Sequence, residues 1–208
     1  MLFSDSANRN LTLAITGASG SLFAREMLRA LDADKRVARV HLVISSSALR
    51  VLAEESGING RNTLAEKLLG RSSAKIVQLA HEDIGAPIAS GSYPNDGMIV
   101  LPCSMGTLAG IAHGLAGNLI ERAADVCLKE RRPLVLCVRE TPLNLIHIRN
   151  MAAATEAGAT IFPMIPTFYN HPQTVEDIAR NYVHRVLQHI GLPQPGAFQW
   201  NPEAAATP

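Results

Sequence analysis

Short apolar runs alternate along the chain with longer stretches of helical period. Residues 11–16, 37–44, 76–79, 98–101, 134–138 and 159–163 read as strands. Most are apolar throughout instead of alternating, as in strands covered on both faces. Between them the period lengthens. Leu22, Phe23, Met27, Leu28 and Leu31 recur as on one helix face, and residues 48–55, 64–69, 108–113, 118–131, 143–157 and 175–190 also read as helices. Strands that alternate with helices predict an α/β fold, a doubly wound parallel sheet in three αβα layers.

Polar and small residues punctuate this pattern where strands end. The run 134–138 lies between Pro133 and Pro142 and is followed at once by Arg139, Glu140 and Thr141. Thr141 suits an N-cap and Pro142 a first helical position, so a helix is predicted to start there. Arg139 and Glu140 then sit at the carboxyl end of a buried strand, the edge where open α/β sheets bind ligands. After the first strand, Gly17-Ala18-Ser19-Gly20 turns into a helix, a layout in which backbone N–H groups and the helix dipole meet an anion. It is neither a Walker loop nor GxGxxG, and a bare tight turn fits equally well. Ser45-Ser46-Ser47 ends the second strand, to cap a helix or to touch a ligand. Pro102-Cys103-Ser104-Met105-Gly106-Thr107 repeats the strand, hydroxyl loop and helix geometry. Two such tips in one sheet can hold the two ends of one phosphorylated cofactor, although a capped helix after a proline turn reads the same way.

Other polar residues are candidates by position. Arg122 and Lys129 are seven apart, so they share a helix face roughly 10 Å along, either solvated or turned to an anion. Glu54 and Glu55 close a helix, where carboxylates oppose the dipole. Residues 85–97 form a loop rich in Gly, Pro, Ser and Asn, long enough to be a pocket wall or lid. The loop 167–172 carries two aromatics, Phe168 and Tyr169, in a chain that is 4% aromatic.

With 208 residues the chain is long enough for one well-buried domain. Hydrophobic residues reach 47% against 18% charged, which points to surface covered by other subunits. A net charge of +1 with dispersed basic residues argues against nucleic acid. No apolar run reaches the roughly 20 residues of a membrane span, and the N-terminus lacks a secretory pattern, so a cytoplasmic location is expected. Cys103, Cys127 and Cys137 show no paired spacing, and the seven histidines form no HxxxH pair; neither a zinc site nor a disulfide framework is expected.

The segments ITGASG, ASGS, LPCSMGTLAGIA, NLIERAADVCLKERRPLVLCVRETP and FYNHPQTVEDIARNYVHRVL together resemble UbiX-type flavin prenyltransferases, from about Leu11 to Leu192. The resemblance implies a homododecamer of flavodoxin-like (Rossmann-like) subunits that joins the dimethylallyl group of dimethylallyl monophosphate to reduced FMN without a metal. The prenylated FMN would serve a UbiD-type decarboxylase. On this basis residues 1–10 are an extended or disordered N-terminus, 11–192 the FMN-binding domain and 193–208 a tail. Gly17, Ala18, Ser19, Ser45, Ser104, Met105, Gly106, Thr107 and Arg139 would hold FMN. Tyr169, Arg185, Lys129 and Arg122 would hold the prenyl phosphate. Glu140 would handle protons, with Ser19, Lys129 and Glu55 also in the catalytic group and Trp200 near the prenyl group. The chain departs from the family pattern at Ser46, where many members have lysine, at Ile84, where some have an aromatic residue, and at Gln199, where arginine is frequent. A flavin-dependent cysteine decarboxylase and a non-catalytic FMN carrier are the competing readings. The first would carry a PASANT-like motif and a histidine after the second strand, both lacking here; the second would not need Lys129, Glu140, Tyr169 and Arg185 together.

Overall fold

The computed structural model describes residues 8–199, so Trp200 lies outside the described residues. Six strands form one parallel sheet in the order β3-β2-β1-β4-β5-β6. They are β1 (Arg9–Ile15), β2 (Val37–Ile44), β3 (Ile76–Leu79), β4 (Met98–Cys103), β5 (Leu134–Val138) and β6 (Thr160–Ile161). Every residue of β4 and β5 is buried, because helices cover both faces. On one face α1 (Ser21–Ala33), α2 (Ser46–Ser56), α3 (Leu64–Leu69) and α7 (Val175–His189) pack through Met27, Leu28, Leu52, Leu68, Val183 and Leu187. On the other, α4 (Met105–Ala112), α5 (Leu119–Lys129) and α6 (Leu145–Glu156) pack through Leu108, Ile120, Ala124 and Ala154. The chain leaves β1 toward β2 and returns to β4 on the other side. The topological switch therefore lies between the tips of β1 and β4.

Several boundaries differ from the sequence reading. β1 begins two residues earlier, at Arg9, because the N–H groups of Asn8 and Arg9 both donate to Arg36 O and the Arg9 guanidinium reaches Ile190 O at 2.9 Å. α4 begins at Met105 instead of 108: the Ser104 hydroxyl accepts the Thr107 N–H and winds the hydroxyl loop into the first turn. Thr141 and Pro142 do not start α6. Asn144 caps it by accepting the His147 N–H, and the His147 ring closes the capping box. β6 keeps only two residues of the expected five, a short edge strand paired on one side.

Candidate active site

Four strand tips meet at the carboxyl edge. Thr16 N–H and Oγ1 both reach Pro102 O, at 3.2 and 2.8 Å, and the Ser104 N–H donates to Thr16 Oγ1 at 2.8 Å. The Ser45 N–H donates to Ile15 O and the Arg139 N–H to Cys103 O. These bonds place the GASG turn, Ser45, the start of α4 and Arg139 side by side. Thr16, buried among them, is the joint that sequence reasoning missed; its only signal was a hydroxyl ending an apolar strand.

Each tip is shaped for close approach of an anion. A methyl group at Gly17 would lie 2.3 Å from Ser47 Oγ, so only glycine lets the turn rest on α2. Ala18 N–H is folded back on Thr16 O and Ser19 is exposed at the mouth. Ser45 caps α2 by accepting the Ala48 N–H, and Ser104 caps α4 by accepting the Thr107 N–H, so both serve the helix starts. The tips remain open: a Cβ on Gly106 would meet nothing within 4 Å. The N-termini of α2 and α4 and several hydroxyls facing one gap suit the phosphate of a mononucleotide. Among the described residues no group of three or more His, Cys, Asp or Glu could hold a metal.

Glu55 belongs to this mouth for a reason its sequence position hid. Although it closes α2, its carboxylate accepts the N–H groups of Gly20 at 3.1 Å and Ser21 at 2.8 Å, capping α1 in place of a local side chain. Burial pushes its pKa up, but hydrogen bonds from the Ser19 hydroxyl and from Ser21 and Gly20 outweigh it and lower the pKa. Its neighbour Glu54 pairs instead with Arg50 on the surface. Ser46 accepts from the Arg61 guanidinium at 2.8 Å, and Arg61 also pairs with Glu82.

Arg139 and Glu140 are exposed at the tip of β5. They form no ion pair; the Glu140 carboxylate accepts the Thr141 N–H at 3.0 Å. The residues after them leave an apolar surface open, with Leu145, Ile146 and Ile148 on α6 half or more exposed.

Arg122 and Lys129 do share a face of α5, but a loop occupies it. Arg122 donates to Ala89 O at 3.1 Å and pairs with Asp125 at 2.6 Å. Lys129 pairs with Glu130 beside Gly91. With Arg132 donating to Gly91 O and Tyr93 O, the loop 85–97 is pinned as a wall, not free as a lid. Lys129 is also on the wrong edge for its expected partners. It precedes the amino end of β5, whereas Arg139 follows the carboxyl end, about 17 Å away along five strand residues.

Tyr169 and Arg185 line one cavity of about 810 Å³ beside α7. Tyr169 stacks on Phe198, centroids 6.3 Å apart, and Arg185 donates to Gln188. No residue of the GASG turn, the α4 start or the β5 tip lines this cavity. α7 runs away from the carboxyl edge, since His189 at its end meets Thr160 at the start of β6. Arg185 lies ten residues into the helix, roughly 15 Å from its start. Within one chain the expected phosphate ligands are therefore split between the two edges of the sheet.

Fold and mouth define a doubly wound α/β protein built to take a phosphorylated ligand at its switch point. Residues 3–187 match the Flavoprotein family. The chain belongs to that family, in its flavin prenyltransferase UbiX group, as its relatives make plain. Flavin prenyltransferase UbiX of Salmonella typhimurium is 45% identical over 190 residues, 90% of this chain and 94% of the relative. That of Escherichia coli K12 is 42% identical over 189 residues, again 90% and 94%. Among solved structures, AnUbiX (PadA1) in complex with FMN and dimethylallyl pyrophosphate is 41% identical with a TM-score of 0.84, covering 93% of this chain and 98% of that one. A dodecameric FMN-dependent Ubix-like decarboxylase from Escherichia coli O157:H7 is 43% identical with a TM-score of 0.82, covering 92% and 99%. The FMN-dependent cysteine decarboxylase TvaF, at 18% identity, TM-score 0.56 and coverage of 74% and 88%, shares the fold alone.

Proposed function

We propose that this protein is a flavin prenyltransferase that joins the dimethylallyl group of dimethylallyl monophosphate to N5 and C6 of reduced FMN. The observation that carries the reading is the mouth at the switch point: the GASG turn and the α4 start joined through Thr16, with Arg139 and Glu140 on the adjoining tip. FMN is a substrate here, the prenyl acceptor, with its phosphate against Gly17, Ala18, Ser19, Ser45 and residues 104–107.

In the first step the flavin N5–carbon bond forms as the allylic C–O bond breaks, phosphate leaves with the electron pair, and the N5 proton is lost to the released phosphate. Cationic and hydroxyl donors held toward the phosphate stabilise that charge, each by about 3 kcal/mol, so protein cations suffice without a metal. An aromatic face such as Tyr169 stabilises the allyl cation by about 1–2 kcal/mol when desolvated. In the second step the alkene takes a proton, a carbon–carbon bond forms at C6 and the C6 proton is lost. Glu140, beside Arg139 at the mouth, carries that proton, with released phosphate as a relay. Glu55 holds Ser19 and the turn in position.

The split of ligands between the two edges is resolved if neighbouring copies supply Lys129, Arg122, Tyr169 and Arg185 to each flavin mouth. The exposed apolar residues of α6, with Ile165 and Phe168, supply the surface for such packing, and a dodecamer is the assembly we infer. Among the described residues no helix is long and apolar enough to cross a membrane. We further infer a cytoplasmic protein whose flavin domain spans residues 11–192 and whose product passes to a UbiD-type decarboxylase.

Phosphate release tests the reaction. Anaerobic protein given dimethylallyl monophosphate should release one phosphate per reduced FMN supplied and none when FMN is omitted. Release that does not depend on flavin would overturn the reading.

A further inference from the structure

The cavity of Tyr169 and Arg185 is lined along α7 by a polar stripe, Asn181, His184, Arg185 and Gln188, at spacings of three, four and seven residues. The opposite face of the helix is core, through Ala179, Tyr182, Val183, Val186 and Leu187, so the stripe is held rigidly against the cavity. Among the described residues that line it, Arg185 carries the one permanent charge. An anion therefore suits it, and the uncharged donors around it are what would orient that anion.

His184 is the informative member. Its Nδ1 is fully buried and has no hydrogen-bond partner. A buried N–H without an acceptor is more costly and rarer than a buried lone pair without a donor, so the ring proton belongs on Nε2. Among the described residues Nε2 has no hydrogen-bond partner either, and it is the nitrogen left open. Burial first, then Arg180 on the same helix, lower the His184 pKa, opposed by Glu26 on α1, so the ring is neutral near pH 7. Asn170, across the cavity, also has a buried side-chain oxygen without a donor.

We propose that His184 is a further substrate-binding residue, whose Nε2–H donates to an oxygen of the organic phosphate that Tyr169 and Arg185 hold. It rests on the reading of this cavity as the phosphate end of the prenyl donor site. The bond gives the site a donor without adding a second charge, and ties recognition to the orientation of one ring.

The test compares His184→Phe, which keeps the ring volume and removes the donor, with His184→Gln, whose amide can donate from a similar position. His184→Phe should raise KM for dimethylallyl monophosphate about tenfold with kcat and FMN affinity unchanged. His184→Gln should stay within about threefold of wild type. Should the phenyl ring impair folding, His184→Leu takes its place. Calorimetric titration with inorganic pyrophosphate reads the same contact without turnover, and His184→Phe should bind it about tenfold more weakly. A protein that turns over normally while His184→Phe keeps the wild-type KM and pyrophosphate affinity overturns the proposal and leaves the prenyltransferase reading intact. If wild type makes no product, that reading fails; pyrophosphate affinity that is absent from wild type or unchanged in the variant then overturns the His184 contact as well.

Discussion

Gly17→Ala asks whether the GASG turn must rest on α2 for the flavin mouth to exist. The added methyl would stand 2.3 Å from Ser47 Oγ, 2.5 Å from Ser47 Cβ and 3.3 Å from the Ser47 backbone carbon. Ordinary carbon contacts lie near 3.5–4.0 Å, so turn and helix must part by about 1 Å. Ser47 cannot rotate away freely, because its hydroxyl sits 3.1 Å from Ser45 Oγ, itself the α2 cap. Overpacking of this kind costs about 1–3 kcal/mol, or roughly 2–12 °C in melting temperature for a chain of this size. The same displacement shifts Ala18 and Ser19 relative to the α4 start, with which they face the one gap. FMN affinity should therefore fall about tenfold or more, as expected for one lost phosphate contact. Circular dichroism melts of the flavin-free protein and fluorescence titration with FMN, both at fixed protein concentration, read the two effects. Gly17→Ala combined with Ser47→Gly should recover most of the affinity by removing the atoms that clash. Unchanged melting and FMN affinity in the single variant, or no recovery in the double, would refute the reasoning.

Three further outcomes are expected. Glu140→Gln should bind FMN as wild type does and form prenylated product at least tenfold more slowly, read by stopping reactions at intervals; an unchanged rate removes it from proton transfer. Lys129→Ala should raise KM for dimethylallyl monophosphate several-fold while the purified protein keeps its FMN, and loss of bound flavin would contradict the division of ligands described above. Asp34, hydrogen-bonded by Arg36 and Gln194, has its pKa lowered to about 2. A carboxylate with a depressed folded pKa adds stability above its unfolded pKa and loses it as pH falls toward the folded one. Asp34→Asn should thus cost about 1 kcal/mol at pH 7 after allowance for solvent screening, with roughly half of that difference gone by pH 3, measured from urea midpoints.

The fold was legible because each buried strand is an uninterrupted apolar run between glycine, proline or serine breaks, and that is also what burial on both faces of a sheet requires. Helix starts were less legible where hydroxyls and prolines compete. Ser104 winds residues 105–107 into α4, and Asn144 with His147 outcompetes Thr141 for the start of α6. At the site, the strand tips could be read one at a time, but Thr16, which joins them, could not, since nothing local marks a threonine whose partners are 86 and 88 residues away. Glu55 looked like an unfavourable carboxylate at a helix C-terminus because its partners, Gly20 and Ser21, belong to another helix. For Arg122 and Lys129 the spacing gave the right face of α5 and the wrong occupant, a loop pinned by carbonyl contacts that helical period does not encode.

The most direct test of the function is the mass of the flavin. Purified protein would be incubated anaerobically with reduced FMN and dimethylallyl monophosphate, and the extracted flavin examined by mass spectrometry. A gain of one five-carbon prenyl unit on FMN, absent when the protein or the prenyl donor is left out, is the predicted result. Unmodified FMN recovered from folded, flavin-loaded protein, with the diphosphate donor tried as well, would contradict the account.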